Sequence, residues 1–136
     1  MKEQIKDKKL YCIVNPGAGG GTSRLWWEKT MPELDRHGYK YSWKYMHPGH
    51  VRQQVRTAVL DQRAEIVVVV GGDGSIFEVI NAIVENGTLI KEGLIVAVAP
   101  SGSACDFARH IYPRQQEGLW TLLEHGKVNY IDLGCC

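Results

Sequence analysis

Residues 66–75 read IVVVVGGDGS. The five consecutive β-branched residues from Ile66 to Val70 are typical of a strand that is covered on both faces in a parallel sheet. The glycines then break the strand, and apolar residues recur at helical spacing from Ser75 to Asn86. Glycines let a phosphate chain approach the main chain, and a helix N-terminus adds a favourable dipole. We therefore predict a buried strand, a phosphate-compatible turn and a helix, although the same letters fit a tight turn in which Ser75 is an ordinary N-cap.

Asp73 favours a binding turn over a plain one. Packing gives little reason for a carboxylate between glycines at the end of a long apolar strand. The same position suits a ligand of Mg²⁺ or a group that contacts a substrate hydroxyl. Asp73 is therefore the predicted catalytic residue and the predicted Mg²⁺ ligand.

Strands and helices alternate on both sides of this segment, which predicts a three-layer α/β/α fold with a mainly parallel sheet. The helix at 23–36 is expected to use Thr22 as its cap and to turn Leu25, Trp26, Met31 and Leu34 inward. The predicted strands are Leu10 to Val14, Tyr39 to Met46 (half exposed), Ile66 to Val70, Leu94 to Ala99 and Val128 to Leu133. The other predicted helices run from Gly49 to about Gln62, Ser75 to Asn86, Ala104 to Ile111 and Arg114 to Glu124.

Composition indicates one ordinary globular domain over residues 1–136. The hydrophobic share is 44%, the charged share is 23%, and the net charge of +1 is spread along the chain. Without a concentrated basic patch, nucleic acid is not an expected partner. The four cysteines form no CxxC pair, and the first residues lack the apolar length of a signal peptide or membrane span. We therefore expect a reduced, cytoplasmic protein.

Two further Gly-rich turns are expected at the ligand-binding edge of the sheet, outside the carboxyl ends of the strands. The first, Asn15 to Thr22, has neither the third glycine of a dinucleotide fingerprint nor the Lys-Ser/Thr of a P-loop, so it fits a phosphate loop or a plain loop. The other, Pro100 to Asp106, joins hydroxyls, a glycine and an acid at a strand-to-helix junction. At this junction, an alternative is that Asp106 only stabilises the helix N-terminus and pairs with Arg109 three residues later.

Taken together, the three turns resemble the diacylglycerol kinase catalytic domain, a family that includes sphingosine and ceramide kinases and soluble bacterial lipid kinases. The family's opening Asn-Pro-x-x-Gly appears at residues 15–19, and its Gly-Gly-Asp-Gly-Thr with a following Glu-Val and Asn appears at 71–75, 78–79 and 81. Its Pro-x-Gly-Thr-x-Asn-Asp-x-Ala-Arg appears at 100–109, and Ile131 to Gly134 resembles its crossing into a second lobe.

The resemblance implies ATP and Mg²⁺ as cofactors, a nucleotide-binding lobe like that of phosphofructokinase and NAD kinase, and a lipid hydroxyl as phosphoryl acceptor. By the same resemblance, the nucleotide-binding residues are Asn15, Pro16, Gly17, Gly19, Thr22, Gly71, Gly72, Asp73, Gly74, Ser75, Glu78, Gly102, Ser103 and Asp106. Ser75 and Ser103 replace threonines and keep the hydroxyl, whereas Phe77 and Cys105 replace asparagines and lose an amide.

Family enzymes continue into a β-rich second lobe that binds lipid, so residues 1–136 are expected to form an N-terminal ATP-binding lobe that binds nucleotide better than it turns it over. The lipid would be bound through the second lobe, while peripheral membrane contact of the full protein and homodimerisation stay open. Two alternatives also stay open: a kinase of the NAD kinase type, and a non-catalytic nucleotide-binding module.

Overall fold

Four parallel strands form the centre of the computed structural model, which describes residues 7–99. The strands in chain order are β1 (Leu10–Val14), β2 (Tyr41–Tyr45), β3 (Ile66–Val70), β4 (Val84–Glu85), β5 (Thr88–Leu89) and β6 (Ile95–Val98). The helices are α1 (Thr22–Arg36), α2 (Val51–Arg56) and α3 (Asp73–Ile83). The main sheet has the order β2-β1-β3-β6, and β4 and β5 form a separate antiparallel hairpin.

The register of the sheet brings the strand ends together at one edge. Val14, the last residue of β1, pairs with Tyr45 of β2 on one side and with Val70 of β3 on the other. Because the strands are parallel and in step, the turns that leave them emerge side by side. The predicted parallel α/β architecture is confirmed.

Alternate residues of the strands serve two separate hydrophobic cores. Tyr11 and Ile13 of β1 point to the face that α2 and α3 cover, whereas Cys12 and Val14 point to the face that α1 covers. In β3 all five residues are buried, as the unbroken run of β-branched residues predicts. Helices therefore lie on both faces, as expected for the three-layer fold.

The strand order reverses between β1 and β3. From β1 the chain passes through α1 on one face to reach β2, and from β3 it passes through α3 on the other face to reach β6. Because the two connections leave in opposite directions, a crevice opens above the carboxyl ends of β1 and β3. That position is the switch point at which α/β sheets of this kind bind ligands.

The buried face of α1 differs from the predicted one. Leu25 is exposed and Trp26 and Met31 are only partly buried, while Ser23, Trp27, Thr30 and Leu34 face the sheet. Trp27 is fully buried against Tyr41 and Trp43 of β2, with ring centroids 6.2 and 5.5 Å away. Contact with this aromatic strand determines the helix orientation, because burying Trp27 removes more apolar surface from water than burying Leu25 would.

Several boundaries also differ from prediction. Strand β2 is shorter than Tyr39 to Met46, and the helix that begins at Val51 changes to π-helical geometry over Thr57–Asp61, which leaves Leu60 exposed. Helix α3 ends at Ile83 and not at Asn86, because the chain turns into the β4–β5 hairpin. Asn86 and Gly87 both have positive φ there, as a tight hairpin turn requires.

Some expectations lie outside the described residues. These are the two predicted helices at 104–111 and 114–124 and the predicted strand at 128–133. Within residues 7–99, no helix has the length and apolar character needed to span a membrane.

Candidate functional site

Two of the three predicted turns meet above the crevice between β1 and β3. The backbone N–H of Asn15 donates to the carbonyl of Val70 at 2.8 Å, which extends the strand pairing into the turns. The side-chain amide of Asn15 then donates from Nδ2 to Oγ of Ser75 at 2.9 Å. The turn after β1 and the turn after β3 are thus joined directly. Gly102, Ser103 and Asp106 of the third turn lie outside the described residues.

The turn after β1 is a compact loop of consecutive left-handed glycines. The N–H of Gly17 donates to Oδ1 of Asn15 at 3.2 Å, and Pro16 is half-buried beside it. Gly19, Gly20 and Gly21 have φ values of 63°, 66° and 99°, which L-residues with side chains rarely adopt. This backbone folds the loop back over the start of α1.

Thr22 does not cap α1 as predicted. Gly21 occupies the N-cap position and Thr22 is the first helical residue. The Thr22 hydroxyl donates to the carbonyl of Gly19 at 3.0 Å, so it stabilises the loop. With the left-handed Gly21 at the N-cap, the helix starts one residue earlier than the sequence pattern predicts.

The turn after β3 is tighter than predicted, because α3 begins at Asp73 and not at Ser75. Gly72 is the N-cap in an extended conformation, and its carbonyl accepts the N–H of Ile76 at 3.1 Å. Ser75 is therefore a buried residue of the first helical turn, and its Oγ faces Asn15. The interpretation of Ser75 as an ordinary N-cap is wrong.

Gly71 has a steric role in this turn. A Cβ at Gly71 would lie 2.5 Å from Oγ of Ser75 and 3.1 Å from Cβ of Asn15. It would also lie 2.7 Å from Cβ of Ser75, and a Cβ atom cannot move away by side-chain rotation. Glycine is thus needed where the backbone of β3 passes beneath the Asn15–Ser75 contact.

The two helix N-termini behind these turns lack side-chain caps. Among the residues that the structure describes, no side chain caps the N-terminus of α1 or α3, and α1 has no acidic residue in its first turn. A Cβ added at Gly74 would meet no atom of residues 7–99 within 4 Å, so the described chain leaves the space over the start of α3 open. Uncapped N–H groups at a helix start, with the positive end of the dipole, suit a phosphate group.

Asp73 and Glu78 are both exposed on α3, and Asp73 is the acidic residue of its first turn. Within residues 7–99, no group of three or more His, Cys, Asp or Glu side chains is placed to hold a metal ion. Mg²⁺ often binds one carboxylate together with substrate phosphates and water, and a lone Asp73 fits that mode. It does not fit a metal cage made of protein side chains alone.

Sequence reasoning missed one cation at the site edge. Arg24 lies in the first turn of α1, immediately after the glycine loop, and its Nε donates to Oε1 of Glu28 at 3.1 Å. The hydrogen bond to Glu28 raises the pKa of Arg24. The available signal was an arginine three residues beyond a glycine run, a pattern too common to identify without the helix boundary.

The thiol and the phenol of β1 are buried in the cores. Cys12 is fully buried in β1, and burial raises the pKa of its thiol, which keeps it protonated. Burial also raises the pKa of Tyr11 to about 12. Both residues belong to the cores on either side of β1.

Comparisons of sequence and of structure both find similarity to diacylglycerol kinases. The family model for the diacylglycerol kinase catalytic domain matches residues 9–136. The diacylglycerol kinase of Staphylococcus aureus (strain JH9) is 26% identical over 134 residues, or 93% of this chain. A diacylglycerol kinase structure from Bacillus anthracis str. Sterne matches 80% of this chain with a TM-score of 0.62 and 25% identity. A second structure from that organism, 24% identical with a TM-score of 0.64, shares the fold over 90% of this chain.

These relatives are much longer proteins. The chain spans 31% to 39% of the length of the curated relatives it matches. It covers 36% of the first solved structure and 41% of the second.

Proposed function

The chain belongs to the diacylglycerol kinase catalytic domain family, and we propose that residues 1–136 form the N-terminal, ATP-binding lobe of a lipid kinase. ATP would bind in the crevice between β1 and β3. The activity is transfer of the ATP γ-phosphoryl group to the hydroxyl of diacylglycerol or a similar lipid. The acceptor would be held with the help of a second lobe, as in the longer family members.

One observation carries the proposal: two glycine-rich turns meet at the switch point, joined by the 2.9 Å hydrogen bond from Asn15 to Ser75. Each turn leads into a helix whose first N–H groups have no side-chain cap. Two such helix starts beside one another can hold more than one phosphate of a polyphosphate chain. The open space at Gly74 supports the same interpretation, because nothing in the described chain fills the approach to α3.

The side chains at the crevice suggest a division of roles. Backbone N–H groups of residues 19–21 and 72–75 would hold the phosphates, since the N–H groups of Gly17 and Ala18 already donate to Asn15. Arg24, which pairs with Glu28, lies just beyond the first loop. Asp73 would face the transferred group, where an exposed carboxylate can orient the acceptor hydroxyl or accept its proton. Glu78, one turn further along α3, lies at the margin of the site.

The transfer itself requires positioning more than covalent chemistry by the protein. The lipid hydroxyl oxygen forms a bond to the γ-phosphorus while the bond from that phosphorus to the β–γ bridging oxygen breaks. ADP leaves, and the hydroxyl proton passes to a base, the role suggested for Asp73. When bound, Mg²⁺ neutralises phosphate charge, and Asp73 is the described residue that fits it.

Thermal melting with and without Mg-ATP tests the nucleotide site. A ligand that binds only the folded chain raises its melting temperature as its concentration exceeds Kd. We expect millimolar Mg-ATP to raise the melting temperature of the 136-residue chain, and adenosine with Mg²⁺ to leave it unchanged, because the site is built for phosphates. No shift with Mg-ATP, or an equal shift with adenosine, would contradict the proposed site.

A further inference from the structure

The side chain of Asn15 is already engaged by the protein. Its Nδ2 donates to Ser75 Oγ at 2.9 Å, and its Oδ1 accepts the N–H of Gly17 at 3.2 Å. Its backbone is equally committed, because its N–H donates to Val70 and its carbonyl accepts the N–H of Ala18 at 3.2 Å. A primary amide has two donor hydrogens and two acceptor lone pairs, and the protein uses one donor and one lone pair of this side chain.

The surroundings hold Asn15 and Ser75 in contact. Ser75 is buried, with 4% of its surface exposed. Gly71 lies directly beneath, where even a methyl group would meet both side chains. A buried hydroxyl is strongly favoured to keep its hydrogen-bond partner, so the contact is a stable part of the fold.

The Asn15–Ser75 contact joins the two turns just beyond the ends of β1 and β3, where backbone pairing between these strands stops. The two residues are 60 positions apart in sequence, and the chain beyond them leads to helices on opposite faces of the sheet. Strand pairing reaches only as far as the bond from Asn15 N–H to Val70. Beyond that bond, the Asn15–Ser75 contact sets the separation of the two turns.

We infer that Asn15 and Ser75 form a positioning pair that sets the spacing of the two phosphate loops, with Asn15 acting through Ser75 and not as a ligand of the nucleotide. This role rests on the ATP site proposed above. The spacing matters because a polyphosphate chain can contact both loops only when their N–H groups lie at matching distances. The family resemblance had suggested direct nucleotide contacts for Asn15, and the hydrogen bonds of its side chain favour a different role.

A double-mutant cycle separates positioning from direct contact. Asn15→Ala, Ser75→Ala and the double variant are compared by calorimetric titration with Mg-ATP and by melting without nucleotide. If the pair acts as a unit, each single variant weakens binding about two- to tenfold, as for loss of one neutral hydrogen bond. The double variant is then no weaker than the weaker single variant, and Ser75→Thr, which keeps the hydroxyl, binds Mg-ATP as the wild type does.

Thr30→Ala is the matched control. The Thr30 hydroxyl is also part-buried and donates to the carbonyl of Trp26 at 2.8 Å, but this bond lies within α1, and Thr30 is eight residues beyond Thr22, the first residue of the helix. This variant should lower the melting temperature without changing the affinity for Mg-ATP. An effect on affinity equal to that of Ser75→Ala would mean that general loosening explains both, and the positioning pair would be wrong.

Two further outcomes distinguish failure of the positioning pair from failure of the proposed ATP site. Losses that multiply in the double variant would mean that Asn15 and Ser75 contact the nucleotide independently, which overturns the pair and leaves the ATP site standing. A wild-type chain that binds no Mg-ATP overturns the proposed function instead. In that case, non-additive changes in melting temperature among the three variants would still show that the hydrogen bond stabilises the fold, but the pair would have no role in nucleotide binding.

Discussion

The two glycine-rich turns of the crevice have similar compositions but need glycine for different reasons. In the turn after β1, Gly19 to Gly21 have positive φ, while added Cβ atoms at Gly20 and Gly21 would meet no atom of the described part of the chain within 4 Å. In the turn after β3, Gly71 has no positive φ, yet an added Cβ would lie 2.5 Å from Ser75 Oγ. The first turn is restricted by backbone conformation and the second by packing.

This difference implies that the two turns tolerate the replacement of glycine to different degrees. A turn restricted by φ loses a limited amount of free energy when glycine is replaced, because strain stays local. A turn restricted by packing transmits the change to its neighbours, since buried atoms must move. The second turn should therefore be the more sensitive of the two, and substitutions can test that ranking.

The largest effect is expected for Gly71→Ala. The added methyl group must displace Ser75 or Asn15, and overpacking of this kind costs about 1–3 kcal/mol of unfolding free energy. Affinity for Mg-ATP should fall as well, because the displacement separates the two loops. Melting and titration of Gly71→Ala measure both quantities.

Gly74→Ala is the control for that change, because it alters the same turn where an added Cβ meets open space. Since Gly74 lies in the first turn of α3, alanine should leave stability unchanged or raise it by about 0.4–1 kcal/mol. Equal destabilisation by Gly71→Ala and Gly74→Ala would disprove the packing explanation.

The next largest effect is expected for Asp73→Asn, which removes the one acidic group in the first turns of α1 and α3. The fold should persist because the side chain is exposed. The part of ATP affinity that depends on Mg²⁺ should be lost, so that titrations with and without Mg²⁺ give the same Kd. Asp61→Asn changes an exposed carboxylate at the end of the π-helical segment and should leave the Mg²⁺ dependence intact. If Asp73→Asn unfolds the chain but keeps its affinity per folded molecule, Asp73 is structural.

A smaller loss of stability than that of Gly71→Ala is expected for Gly20→Ala in the first turn. A left-handed conformation costs an L-residue about 1–2 kcal/mol, and within residues 7–99 no neighbouring atom adds to that cost. Urea unfolding of Gly20→Ala should show a loss within this range and smaller than that of Gly71→Ala. A larger loss would mean that the first turn is also restricted by packing.

Much of the fold could be predicted from local sequence pattern. The bounds of β1 and β3 are those expected, because an unbroken apolar run between polar turns indicates a buried strand without knowledge of its neighbours. The inward positions of α3, including Ile76, Val79 and Ile83, also follow its helical spacing. The glycine-rich turns after β1 and β3 could be located because each breaks such a pattern.

The candidate site could be predicted only in part. Glycines and Asp73 mark the turns, but the exact helix starts depend on backbone conformations at Gly21 and Gly72 that the residue letters do not specify. Ser75 illustrates the limit, since a serine after glycines has the usual pattern of an N-cap. Ser75 is buried and contacts Asn15, which lies 60 residues earlier in the chain and directly follows the neighbouring strand β1.

By itself the sequence determined the alternation of strands and helices, the parallel sheet and the turns where a ligand would bind, because these depend on periodicity and on the conformational freedom of glycine. Only the tertiary structure decided which side of α1 is buried. It also decided that Asn15 pairs with Ser75 and that Gly71 must lack a side chain. These features depend on contacts between residues distant in sequence, and the adjacency of β1 and β3 at the switch point creates two of the three.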